Sequence, residues 1–226
     1  MLDHKLTIII LLTLTWTINS AEANAQQLIE NTTVQTAIPA DISVSTGPAT
    51  SAVQALVTSA RLYADVQAPG ITAEEKQRRT VLKENISTIL DLHEMARLIL
   101  ARNWEKQKPA DREKYAALLT ALVEKIGYPQ IEKFFNGPIE LTYTGERPLE
   151  AGKASVFTAI AYKDEDQKLA TEFRLYQTGK GWRIYDVITD GESLLLIYRN
   201  QHSGIIKGKG FPHLIKLMEK KLNEAK

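Results

Sequence analysis

The chain contains no cysteine. That removes disulfides, thiolate metal sites, a cysteine nucleophile and a lipid-modified cysteine anchor together, so the fold must be held by its core. It also lacks an excess of either charge. Lys and Arg number 28 against 27 Asp and Glu, a formal net charge of +1. No global field then draws in nucleic acid, and no nucleic-acid partner is expected. Histidine is scarce: beyond the N-terminal segment only His93, His202 and His213 occur, without an H-E-x-x-H arrangement, so no metal site is assigned. The acidic run KDEDQK has neither the ligand spacing nor the glycine of a calcium loop, and Gly179-Lys180-Gly181 and Gly208-Lys209-Gly210 do not complete a phosphate-binding loop. No cofactor is implied.

Long apolar runs are also missing, except one. Leu6 to Ile18 (LTIIILLTLTWTI) is uncharged and apolar, but at about 13 residues it falls short of the ~20 of a spanning helix. Small-x-small sites follow at Ala21-Glu22-Ala23 and Ala23-Asn24-Ala25. Residues 1–25 read as a cleaved signal peptide and predict export. Residues 26–48, rich in Thr, Ser, Ala and Asn, read as a flexible tether, and residues 49–226 as one domain.

Within that domain the apolar period is first helical. Val53, Leu56, Val57, Ala60 and Tyr63 form one stripe, and Leu82, Ile86, Ile89 and Leu90 a second. Asp91 with Glu94 three residues on marks a helix start. Pro109 suits the first turn of another, whose stripe is Tyr115, Leu118, Leu119, Leu122, Val123 and Ile126. From Ile139 the period falls to two. Four strands are predicted near 139–144, 154–163, 168–177 and 182–189, joined by connections of hairpin length, hence an antiparallel meander. Helix returns after Ser193, breaks at Gly208-Lys209-Gly210 and restarts at Pro212. Helices grouped before and after a meander give an α+β domain.

Two residues offer catalytic chemistry. Gly191-Glu192-Ser193 stands at a strand-to-helix corner like a nucleophile elbow, but Leu195 occupies the place of the second glycine and the sheet is not parallel. A corner glycine with Ser193 as helix cap is the favoured reading. Asp186, between Tyr185 and Val187, is the alternative: a carboxylic acid in an apolar pocket of a small enzyme. What exceeds the catalytic groups is apolar surface, which either fills a core or leaves a slot between the layers.

Three stretches, MARLILARNWEKQKPADREKYAALLTALV (95–123), WRIYDVITDGESLLLIYRNQ (182–201) and GIIKGKGFPHLIKLMEKK (204–221), stand in this order behind the signal-like segment. Together they resemble the MlaC, or toluene-tolerance, family of periplasmic lipid-binding proteins that serve ABC transporters. The most specific element is W-x-x-Y-D-V-x-x-x-G-x-S followed by Y-R, met at Trp182, Tyr185, Asp186, Val187, Gly191, Ser193, Tyr198 and Arg199. The hopanoid-associated HpnM branch shares it. Ala101 departs from the family, where glycine is common, and Lys108 stands where threonine often caps the next helix.

The resemblance implies helices packed on a curved antiparallel sheet, a cone-like, nuclear-transport-factor-like fold enclosing an apolar slot for phospholipid acyl chains, without catalysis. Expected lining residues are Leu98, Leu119, Leu122, Tyr143, Ile160, Phe173, Leu175, Tyr185, Val187 and Leu195. Expected partners are a phospholipid or related lipid, an inner-membrane ABC permease complex with its substrate-binding subunit, and an outer-membrane lipoprotein complex.

Overall fold

The computed structural model describes residues 47–65, 72–128, 138–150, 152–162 and 168–225, with Gln130 and Phe134. The expected signal peptide, nearly all of the tether and most of the KDEDQK connection lie outside the described residues. Helix α1 (Pro48–Asp65) opens the described chain, so Gly47 and Pro48 belong to the domain rather than to a tether. Glu146, from the far side of the chain, accepts hydrogen bonds from the Thr50 N–H and hydroxyl, both 2.7 Å, satisfying groups that a helix N-terminus leaves unpaired.

Helix α2 (Ala73–Ile89) starts with a capping box: the Thr72 hydroxyl accepts from the Glu75 N–H, and the Glu75 carboxylate accepts from the Thr72 N–H. Leu90 then turns extended and bridges Ile184, and the Asp91 N–H donates to the Ile184 carbonyl at 2.9 Å. Asp91 caps α3 (Leu92–Leu100) as expected, accepting from the Glu94 N–H at 2.9 Å. A 3-10 turn (Ala101–Asn103) leads to α4 (Pro109–Leu122). This helix has proline in its first turn and no side-chain cap from Lys108.

The sheet is the expected meander: β1 (Ile139–Pro148), β2 (Lys153–Tyr162), β3 (Lys168–Thr178) and β4 (Gly181–Thr189), with a two-residue β5 (Glu192–Ser193) at the edge, all antiparallel and in sequence order. Two bulges interrupt it. One inserts Thr144 between Tyr143 and Gly145; the other inserts Tyr185 in β4 between the partners of Leu175 and Arg174. Each bends its strand and sharpens the twist. Asp190 and Gly191, at φ of 49° and 84°, make the chain reversal that the sequence places there. Helices α5 (Leu194–Lys209) and α6 (Phe211–Glu224) follow. Among the described residues the architecture is therefore six α-helices and one five-stranded antiparallel sheet, an α+β fold.

Apolar residues gather in three clusters. Helices α3, α4, α5 and α6 enclose Ile99, Leu100, Tyr115, Leu122, Leu214 and Met218. Helix α1 covers one half of the sheet through Val53, Leu56, Val156, Leu175 and Ile184. Ile160 and Leu169, with Leu141 and Phe134, form a smaller group at the opposite end of the strands.

Candidate functional site

The corner after β4 settles first. The Ser193 hydroxyl donates to Asp186 Oδ2 at 2.7 Å and accepts from the Leu196 N–H at 3.1 Å, while the Leu195 N–H donates to Asp186 Oδ1 at 3.1 Å. The two residues together cap α5. Both are buried, and burial raises the Asp186 carboxyl above the usual range against the opposing pull of the Ser193 and Leu195 donors and Arg174. The serine hydrogen is already committed to the aspartate. His202 lies on the same helix but pairs with Tyr115, its Nδ1 2.7 Å from the phenol oxygen. This arrangement holds a helix end; it does not activate a nucleophile.

The ten expected lining residues divide between the clusters. Leu119, Leu122 and Leu195 are buried in the helical cluster, and Leu98 and Tyr185 pack partly buried against it. Phe173, Leu175 and Val187 are buried between α1 and the sheet, with Tyr143 partly buried beside them. Ile160 sits with Leu169 in the third group. The bulge explains why Tyr185 and Val187, two residues apart, join different clusters. Ile184 and Val187 both face α1, because the inserted residue reverses the alternation between them.

A protein of this size ordinarily builds one contiguous core with small satellites. Here the buried apolar residues divide into two large clusters. Leu122 belongs to one and Val123, the next residue, packs against the other. At this point α4 loosens into a π-helical segment, Val123–Gly127, a distortion that often accompanies functional sites. Arg199 ties α5 across to α3, its Nε donating to the Leu98 carbonyl at 3.0 Å beside that half-buried side chain.

A feature not read from the sequence crosses the sheet. The register pairs Tyr143 with Thr158, Thr158 with Thr171, and Thr171 with Thr189, so four hydroxyl-bearing side chains stand in one row on one face. The three threonines are 3%, 5% and 5% exposed. The signal was present as threonine in β2, β3 and β4 and tyrosine in β1, but only the register aligns them. Among the described residues no group of three or more His, Asp or Glu side chains could hold a metal ion, and no helix is long and apolar enough to cross a membrane.

A family model described as MlaC protein matches residues 57–220. No curated protein matches the chain. Among solved structures, the chain is similar to the phospholipid-binding protein from Ralstonia solanacearum in complex with a phospholipid. The TM-score is 0.61 at 16% identity, over 77% of this chain and 94% of that one, so the two share a fold.

Proposed function

The chain belongs to the MlaC family of lipid-binding proteins, which are not enzymes, and we propose that it carries a phospholipid between membranes by holding the acyl chains between sheet and helices. The observation that carries this reading is the division of the apolar residues into two large clusters, in a fold shared with a protein solved around a phospholipid. Withdrawing chains from water contributes ~0.8 kcal/mol per buried CH₂, so a dozen methylenes supply about 10 kcal/mol before ordering costs. No charged headgroup pocket is then needed. Leu98, Leu122, Tyr143, Phe173, Tyr185 and Val187 are the proposed contacts, together with Leu119, Ile160, Leu175 and Leu195.

The site of action in this reading is the periplasm. The partners are an inner-membrane ABC permease complex with its substrate-binding subunit, and an outer-membrane lipoprotein complex. The test is native mass spectrometry of the chain expressed with its own N-terminal segment and recovered from a periplasmic fraction without detergent. One diacyl lipid per chain, released on denaturation, is the expected result. Bare protein that also takes nothing from phospholipid vesicles would mean a filled core and a different role.

A further inference from the structure

The hydroxyl row asks for a ligand group of its own. Thr171 Oγ1 is buried without a hydrogen-bond partner, although burying such a group unpaired costs as much as a lost hydrogen bond and is rare in native folds. Its neighbour offers little: the Thr158 hydroxyl donates at 3.4 Å to the Thr171 backbone carbonyl, leaving the Thr171 hydrogen free to donate. Around the row the same face is apolar, with Val156 and Phe173 on one side and Ile160 and Leu169 on the other. The Arg61 guanidinium acts on the Tyr143 end of the row, whereas the unpaired Thr171 hydroxyl is a neutral donor among apolar side chains, a setting that a charged phosphate does not suit. The group that does is a neutral oxygen acceptor carried on an apolar body.

We propose that the Tyr143, Thr158, Thr171 and Thr189 row seats the ester carbonyls of the bound diacyl lipid, with the Thr171 hydroxyl as the donor. This rests on the lipid-carrier reading and adds to it what that reading lacks, a polar contact that selects the linkage between chains and glycerol. An ester carbonyl is a good acceptor, whereas the ether oxygen at the same place is a poor one. A carrier with this row prefers acyl esters to alkyl ethers of equal length and headgroup.

The test loads lipid-free protein from mixed vesicles holding equal amounts of dipalmitoyl phosphatidylglycerol and its dihexadecyl ether counterpart, and reads the bound ratio by native mass spectrometry. The expected ratio favours the ester by about tenfold, the worth of one hydrogen bond. Thr171→Val should bring it to about one with total loading kept, and Thr171→Ser, which retains the hydroxyl, should restore it. The lipid-free Thr171→Val protein should melt no lower than the wild type, because it loses only an unpaired group. Equal uptake of ester and ether by the wild type, or an ester preference that survives Thr171→Val, overturns the inference while leaving the carrier standing. Uptake of neither lipid overturns both.

Discussion

Ala101 carries φ 48° and ψ −125°, one of only two non-glycine residues with positive φ among those described. In that conformation the β-carbon of an L-residue crowds its own backbone, and glycine alone adopts it freely. The turn is fixed from both sides: the Ala101 N–H closes onto the Arg97 carbonyl, and its own carbonyl accepts from the Trp104 N–H at 2.9 Å. Strain of this kind costs about 1–3 kcal/mol. Replacing Ala101 by glycine removes it but adds about 0.5–1 kcal/mol of unfolded-chain entropy. The difference is a stabilisation centred near 1 kcal/mol, a rise in melting temperature of about 2–4 °C for a domain of this size. Ala117, exposed in the middle of α4, is the control: there the same substitution costs about 1 kcal/mol and lowers the melting temperature. Urea midpoints at unchanged slope, read for both variants, decide the matter. If Ala101→Gly destabilises as Ala117→Gly does, the strain assigned to this turn is wrong.

Ser193→Ala should cost about 2 kcal/mol, since it uncaps Leu196 and strips the buried Asp186 carboxylate of a donor, yet leave the lipid content of the purified protein unchanged. Lost lipid with unchanged stability would contradict the capping role. Burial holds the His202 imidazole at a pKa of about 4, below its free value of 6.5. Its contribution is whole above pH 6.5, where both states are neutral. It drains away as pH falls toward 4, where only the unfolded chain takes the proton, a loss on the order of 3 kcal/mol. His202→Gln should flatten the stability profile across that interval, and an unchanged slope would remove His202 as its source. A β-carbon on Gly47 would stand 2.3 Å from Glu146 Oε1, so Gly47→Ala should cost about 1–3 kcal/mol by displacing the carboxylate from Thr50. The penalty should shrink in a Glu146→Ala background, and a double-mutant cycle without coupling would refute the contact.

Helices and strands were legible wherever one side of an element is buried. The α1 stripe at Val53, Leu56 and Ala60, the α4 stripe at Tyr115, Leu119 and Leu122, and the alternation of Ala154, Val156 and Ile160 in β2 all appear in the sequence as they pack in the fold. Local chemistry was equally readable at Asp91 and Ser193, because each caps a donor three residues on, and at Pro109, because a first-turn proline lacks only an N–H that would have no intrahelical partner. The Glu146 cap on α1 was not, since its partner lies 96 residues away and nothing in either segment marks the other.

The site is harder to read because its walls depend on parity. An alternating pattern assigns Tyr185 and Val187 to one face, and only a pairing partner reveals that β4 gains a residue there. That single insertion does two things. It sends Ile184 and Val187 together toward α1, and it frees Tyr185 to pack against the helical bundle, its ring 6.1 Å from that of Tyr176. One strand thereby touches both apolar clusters, which a regular strand buried on one face could not do. The Tyr-x-Val spacing in the strand that carries the family resemblance is in this light a device for contacting both clusters, and the hydroxyl row at Thr171 and Thr189 begins just beyond it. A chain whose β4 lost the bulge would keep its hydrophobic residues and its helices, but would turn Tyr185 or Val187 away from its own cluster.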